Sequence, residues 1–432
     1  MEKIVSLCKR RGFVFQGSEI YGGLAGTFDY GHLGGELLHN IKNSWWKRFV
    51  SERTDMYAIR AAILMRQEVW QAAGHVENFA DPMVECEKCK HRFRADQLED
   101  KTKCADCGGK LSAAQQFNMM FQTKVGASED SSAISYLRPE TAQGIFVNFK
   151  NTVDAYHPKL PFGMAQIGKA FRNEITPRDF IFRSREFEQM EIEYFIRPEE
   201  WEKTFEFWQQ EMSEWMESVG IDMKKVHAVD IAPEDLAHYS KRTVDFEFEF
   251  PFGRKELFGL AYRGDFDLKN HKLEYVDEEA KTKMTPHVIE PSFGADRAFL
   301  AVLLSAYSED LPAEAGGEVR AFLKLKPNIA PVLACVSPLL KNKHELVAKA
   351  EEIFAALKKE FGNIAYDDNG NIGKRYRRQD EIGTPFCIVV DFDTLGEKPE
   401  LLDTVTVRDR DTGAQERVKL SALSDYIHSR MS

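Results

Sequence analysis

Side chains from Arg183 to Phe195 change character at almost every step, and this alternation restricts the fold more than any other stretch of the 432-residue chain. Read as a strand, it puts Arg183, Arg185, Phe187, Gln189, Glu191 and Glu193 on one face and Met190, Ile192 and Tyr194 on the other. Upstream, Phe171-Arg172-Asn173-Glu174 reads as the end of a preceding strand, with Arg172 and Glu174 sharing a face and a short polar loop between the two strands. One sheet face then collects arginines, an aromatic ring and carboxylates. Burying such a set without a purpose is costly. A solvated salt-bridge face explains the alternation equally well. The phenylalanine among the charges weighs toward a site, because arginine forks suit phosphate oxygens and a ring gives a base something to stack on.

Other segments fill in a mixed fold. Leu37, Leu38, Ile41, Trp45 and Phe49 follow the glycine-rich segment 12–35 at helical spacing, and the glycines read as turns. Trp201, Phe205, Trp208, Met212, Trp215 and Val219 predict a helix over 199–219 with a core-facing stripe, started by Pro198, Glu199 and Glu200. Thr243 to Phe250 alternates Val244, Phe246, Phe248 and Phe250 with Asp245, Glu247 and Glu249, a half-buried strand of an antiparallel sheet. Beyond Leu325 the pattern changes. A strand over Ile329–Val336, a helix over Asn342–Glu360, a strand over Asn363–Tyr366, a basic helix near 374–382 and an apolar strand Phe386–Phe392 predict a small separate α/β domain. Lys326-Pro327 marks the boundary, giving domains 1–325 and 326–432.

Seven cysteines, four of them in one short stretch, do not suit a disulfide framework and point to a reducing compartment. Cys86-x-x-Cys89 and Cys104-x-x-Cys107, fourteen residues apart, have the spacing of one tetrahedral Zn²⁺ site with four thiolates. Such a closed site is structural. It predicts a zinc ribbon inserted over about 81–112, with His91 a surface residue and not a ligand. The net charge of −11 argues against a protein that coats nucleic acid with its whole surface, but not against a local basic groove. Lys374, Arg375, Arg377 and Arg378 around Tyr376, with Arg408, Arg410, Arg417 and Lys419, are candidates for one, against the commoner alternative of a solvated face. No Walker loop occurs. No apolar run is long enough to span a bilayer, so no membrane partner is expected. The start carries Lys3, Lys9, Arg10 and Arg11 without a signal-peptide core.

FRNE followed by FRSREFEQMEIE resembles motif 2 of the class II aminoacyl-tRNA synthetases, and specifically that of the glycyl-tRNA synthetase family. Arg138-Pro139-Glu140-Thr141-Ala142-Gln143-Gly144 resembles that family's R-P-E-T-A-Q-G element. Glu290-Pro291-Ser292-Phe293-Gly294-Ala295-Asp296-Arg297 resembles its motif 3, and Ser18 to Gly23 with Asp29-Tyr30-Gly31 its opening. The tail from Ile372 to Pro385 is similar to the anticodon-binding domain shared with the histidyl, threonyl and prolyl enzymes. The chain departs from the family pattern at His32, where proline is usual, and at Gly264, where threonine is common.

The resemblance implies an α+β fold: an antiparallel-sheet class II core with the zinc-ribbon insertion and a C-terminal α/β anticodon-binding domain, in a cytoplasmic homodimer. It implies ATP-dependent ligation of glycine to the 3′ end of its tRNA through a glycyl-adenylate. ATP with Mg²⁺ is carried over to Arg172, Asn173 and Glu174, to Phe182, Arg183, Ser184, Arg185, Glu186 and Phe187, to Glu256 and Leu257, and to Gly294, Ala295, Asp296 and Arg297. Within that set Arg172 meets the α-phosphate, Glu174 the adenine amino group, Phe187 the adenine face and Arg297 the γ-phosphate end. The two arginines are the catalytic pair. Glycine is carried over to Arg94 and Glu140, to Phe187, Glu188, Gln189, Met190 and Glu191, and to Glu290, Pro291, Ser292, Phe293 and Gly294. A synthetase for another small amino acid and a non-catalytic synthetase-like protein are the rivals. The R-P-E-T-A-Q-G and E-P-S elements speak against the first, and Arg172, Glu174 and Arg297 against the second.

Overall fold

The computed structural model describes residues 1–98, 100–127, 134–277, 281–310 and 319–431. A seven-stranded sheet forms its centre, in the order Val226–Asp230, Arg242–Phe250, Gly253–Gly264, His287–Gly294, Glu186–Ile196, Phe162–Phe171 and Met56–Ala58. Every neighbouring pair is antiparallel except the last. Met190, Ile192 and Tyr194 pack on one face against the helices His32–Trp46, Trp201–Ser218 and Ala295–Ala306. The predicted stripe behaves as core, with Phe205, Trp208, Met212 and Trp215 fully buried in it. Toward one end of the other face, Phe162, Met164 and Phe195 are covered by the helices Ala142–Phe146 and Phe149–Tyr156.

Two local expectations need correction. The predicted strand over Ile329–Val336 begins only at Ala334, because Pro331 has no N–H for a ladder. Ile329 and Ala330 pack in the first core, and the second core starts at Leu333. The two strands of the opening motif are also shorter than alternation suggests. The first ends at Phe171 and the second starts at Glu186. Arg172, Glu174, Arg183 and Arg185 therefore lie in the connecting loop, whose turn Phe180–Phe182 buries Ile181 and Phe182.

The C-terminal sheet has the order Ile364–Tyr366, Ala334–Pro338, Phe386–Val390, Thr404–Asp409 and Gln415–Lys419, parallel then antiparallel, backed by the helix His344–Phe361. The basic helix runs Ile372–Ile382, and Asn371 caps it by accepting from the Lys374 N–H at 2.9 Å. Of the eight cations expected at a nucleic-acid surface on this helix and the later strands, five are held by contacts within the protein. Arg375 is 2% exposed and donates to the carbonyls of Pro338, Asp368 and Gly370. Arg378 pairs with Asp367, Arg408 with Asp380, and Arg417 with Asp391 and Asp393. Arg410 donates to the carbonyls of Gly383 and Leu325. Lys374 and Lys419 remain exposed and Arg377 half-buried.

Both departures from the family pattern have a local reason. His32 is the first residue of its helix, where proline and ordinary residues are both tolerated. Gly264 sits at a bulge with φ +63°, in the left-handed region, and a Cβ there would come within 2.5 Å of Lys241 Nζ.

Candidate active site

The polar face of the central sheet is the floor of a cavity of about 560 Å³. Register decides what the floor exposes. Gln189 is flanked by Gly168 and Gly294, Glu191 by Gln166 and Ser292, and Ser292 in turn by Gly259. Small residues beside long polar ones leave the space open. Gly168 is required for another reason, since a Cβ there would meet Arg138 Nη2 at 2.2 Å. Arg138 crosses it to donate to the carbonyls of Lys169 and Ala61.

Contacts sort the lining into two groups of opposite charge. The first is anionic. Glu191 is buried and accepts from Ser292 Oγ at 3.0 Å, Gln189 Nε2 at 2.7 Å, the Thr141 N–H at 3.1 Å and the Thr141 hydroxyl. Glu140 accepts from Gln143 Nε2 at 3.2 Å, and its Oε2 lies 3.1 Å from His75 Nε2. Arg263 donates to both oxygens of Asp267 and to Glu290. Glu193 is fully buried, on the strand next to that of Glu290 and close enough to feel its charge. Neither Glu193 oxygen has a hydrogen-bond partner among the described residues. Five buried carboxylates, Glu140, Glu191, Glu193, Asp267 and Glu290, thus surround one guanidinium.

Their ionisation follows from burial and from one another. Burial raises Glu191, and the neighbouring Glu140 raises it further. Burial and Glu290 push Glu193 well above the usual carboxylate range. Burial opposes ionisation of Glu140 too, but His75 and Arg263 outweigh it and hold that carboxyl below the usual range. Burial raises Glu290 as well, to about 8. Buried carboxyl groups that outnumber the cations beside them hold protons instead, and a bound cation would draw them to the ionised form.

The second group is cationic and aromatic. The Arg172 guanidinium lies near two rings, 5.4 Å from the centroid of Phe79 and 5.3 Å from that of Phe187, and its Nε donates to the Pro139 carbonyl at 3.1 Å. Arg183 approaches Glu174 to 3.7 Å, and one Glu174 oxygen has no hydrogen-bond partner among the described residues. Arg297 lies over the Phe182 ring at 4.5 Å and pairs with Glu256 at 3.2 Å. Arg94 joins them from the ribbon, held by Asp81 at 2.6 Å and Asp96 at 2.8 Å. Asp245 lines the same region, its carboxyl pushed up by burial and by Glu256 and Glu247.

Most residues expected at the site line this cavity: Arg94, Glu140, Arg172, Glu174, Phe182, Arg183, Ser184, Phe187, Glu188, Gln189, Glu191, Glu256, Leu257, Glu290, Ser292, Gly294, Asp296 and Arg297. Several of them are committed elsewhere. The Leu257 side chain belongs to the core. Glu188 pairs with Lys42, and Asp296 accepts from Tyr30 and from the Glu188 N–H. Asn173, Arg185, Glu186, Met190, Pro291, Phe293 and Ala295 do not line the cavity. Met190, Phe293 and Ala295 face the core, Arg185 donates to the carbonyls of Ala25 and Glu174, and Glu186 pairs with Lys169 on the surface. Sequence reading missed His75, Phe79, Thr141, Tyr239, Arg263 and Asp267. A buried aspartate four residues after Arg263 was the one local signal, an i, i+4 ion pair.

The four thiols come together as their spacing demands. The Sγ atoms of Cys86, Cys89, Cys104 and Cys107 all lie within 4.8 Å of one another, with Cys86–Cys107 at 3.5 Å and Cys89–Cys104 at 3.6 Å. Zn–S bonds of about 2.3 Å in a tetrahedron put sulfurs about 3.8 Å apart, so the set fits Zn²⁺. The Cys89 N–H donates to Cys86 Sγ, which lowers that thiol's pKa, while Cys89 is pushed up by burial and its thiol neighbours, so the first proton to leave the cluster is that of Cys86. His91 turns outward to Asp106.

Comparison with known proteins agrees with this geometry. Residues 121–307 match the family described as the tRNA synthetase class II core domain (G, H, P, S and T), and residues 334–430 match the anticodon binding domain. The chain is 48% identical to the glycine–tRNA ligase of Lachnospira eligens, over 100% of this chain and 98% of that one. It is 47% identical to the Bacillus cereus enzyme, over 100% and 99%, and 45% identical to that of Thermobifida fusca, over 100% and 98%.

Proposed function

Because the chain belongs to the glycine–tRNA ligase family of class II aminoacyl-tRNA synthetases, we propose that the two-ended cavity is where it activates glycine with ATP before transfer to tRNA. One observation carries the assignment: carboxylates crowd one end of the cavity and arginines with stacking rings the other. Glycine offers an ammonium and a carboxylate for recognition. Glu140, Glu191 and Glu290 receive the ammonium, with Ser292 and Gln189 fixing its surroundings. Phe187 stacks on adenine, and Glu174 accepts from the adenine amino group. Arg172 holds the α-phosphate and Arg297 the γ-phosphate end.

The reaction needs no protein nucleophile. The glycine carboxylate attacks the α-phosphorus in line and pyrophosphate leaves. The protein brings two anions together and offsets their charge. Asp245 and Glu256 would hold Mg²⁺, which supplies charge neutralisation on the phosphates. The terminal ribose 3′-hydroxyl of the tRNA then attacks the adenylate. Residues 326–432 serve as the anticodon-binding domain and 1–325 as the catalytic domain. The four cysteines hold structural Zn²⁺.

The functional unit is a homodimer. Ile20 and Tyr21 are 88% and 87% exposed and Leu24 is 56% exposed, within one turn beside the cavity loop, a patch that suits cover by a second copy. Cytoplasmic residence agrees with cysteines that form no disulfide among the described residues, and no described helix is long and apolar enough to cross a membrane.

Amino-acid-dependent ATP–pyrophosphate exchange across the twenty amino acids tests the assignment. Glycine alone should support exchange. Comparable exchange with alanine or serine would refute the proposed glycine pocket.

A further inference from the structure

A five-residue turn outside every motif reaches both ends of the cavity. The short helix His75–Asn78 ends at Phe79, whose N–H donates to the His75 carbonyl at 3.1 Å. His75 is 3% exposed. Its ring is wedged between Trp70 and Phe79, at centroid distances of 5.6 and 5.5 Å, and its Nε2 lies 3.1 Å from Glu140 Oε2. Phe79 supplies one of the two rings that the Arg172 guanidinium approaches, Phe187 being the other. The backbone continues the bracing: the Met119 N–H donates to the Phe79 carbonyl at 3.0 Å, and the Asn173 N–H donates to the Met119 carbonyl at 2.7 Å. Asn173 lies between Arg172 and Glu174, so the same turn fixes the backbone that aims both side chains.

We propose that the His75–Phe79 turn is a positioning element joining the two halves of the adenylation site, with His75 orienting Glu140 for the glycine ammonium and Phe79 orienting Arg172 for the phosphate. This rests on the roles given above to Glu140 and Arg172. Two neighbouring residues packed ring to ring thereby set the separation of the two groups that hold the reactants. The cavity geometry explains why a flexible loop would not serve. A guanidinium anchored through its Nε and packed near two rings keeps its orientation, and a carboxylate held at 3.1 Å by a buried imidazole keeps its direction.

The test is a split between two Michaelis constants, measured by pyrophosphate exchange on the full-length enzyme. His75→Gln should raise KM for glycine about tenfold or more and leave KM for ATP within about twofold, the usual size of a lost hydrogen bond to a charged group. Phe79→Leu should raise KM for ATP or lower kcat by about twofold to fivefold while KM for glycine stays unchanged. Phe79→Tyr, which keeps the ring, should restore wild-type values. A double-mutant cycle removes the ambiguity of a weakened fold. His75→Gln combined with Glu140→Gln should be strongly non-additive in glycine KM, and combined with Arg172→Lys additive. Both KM values rising together in each variant, or additivity in the first pair, would overturn the inference while leaving the site standing. Unchanged constants in Glu140→Gln and Arg172→Lys alone would overturn the site assignment and this inference with it.

Discussion

Replacing Arg172 by alanine removes a guanidinium that the fold has already oriented. Its Nε is committed to the Pro139 carbonyl at 3.1 Å, which leaves the two terminal nitrogens to face a ligand. Rings at 5.4 and 5.3 Å help to hold its orientation. Loss of one preorganised donor to a developing charge costs roughly 10²–10³ in kcat, about 3–4 kcal/mol. Arg172→Ala should therefore slow glycine-dependent pyrophosphate exchange by at least about a hundredfold. Arg172→Lys keeps the charge and forfeits the fork and both ring contacts, each worth about 0.5–1 kcal/mol. It should fall between, at about tenfold to fiftyfold, since 1.4 kcal/mol is tenfold in rate. The stability change is smaller, about 1 kcal/mol for one hydrogen bond at a half-buried site. The melting temperature should thus move by a few degrees while the rate collapses. Exchange within threefold of wild type in Arg172→Ala would refute the reasoning, and so would equal losses in the alanine and lysine variants.

Three further outcomes follow from buried charge. Glu193 binds its proton more tightly folded than unfolded, because burial and Glu290 raise it. Folding stability from this group is therefore full below about pH 4.5 and falls as pH rises above that value. Glu193→Gln should gain in melting temperature over wild type between pH 5 and pH 8, and a pH-independent difference would show that Glu193 is not held protonated. Cys104→Ser should lower zinc from about one per chain, measured by elemental analysis, and labelling of Cys86 by a thiol reagent should rise; full zinc retention contradicts a four-thiolate site. In the C-terminal domain, Arg375→Ala should lower thermal stability through three lost carbonyl contacts. Lys374→Ala with Arg377→Ala should instead weaken tRNA binding and flatten its salt dependence; the reverse pattern would restore Arg375 as a phosphate contact.

What the sequence made legible was what a single segment encodes by period or spacing. The alternation of Val244, Phe246, Phe248 and Phe250 needs no partner strand to be read, and all four are buried. The two cysteine pairs are read the same way. Alternation misled at Arg183 and Arg185, because the loop carries the same residue types as the strand that follows. It also could not say that Glu191 and Glu193 are buried on a face that looked fit for solvent. His75, Arg263 and Asp267 escaped because their meaning lies in contacts across the fold: His75 with Glu140 some sixty-five positions later, Arg263 with Glu290 and Asp267 with Gln143. The basic cluster around Tyr376 looked like a nucleic-acid surface because exposure cannot be read from charge. Arg375 and Arg378 turn inward, where carbonyls and Asp367 receive them.

The assignment of the two ends of the cavity is tested most directly by a crystal structure with a non-hydrolysable glycyl-adenylate analogue. The ammonium should lie among Glu140, Glu191 and Glu290, the adenine on the Phe187 ring, and the phosphate mimic against the Arg172 guanidinium. An analogue bound with its ammonium toward Arg172 and Arg297, or outside this cavity, would contradict it.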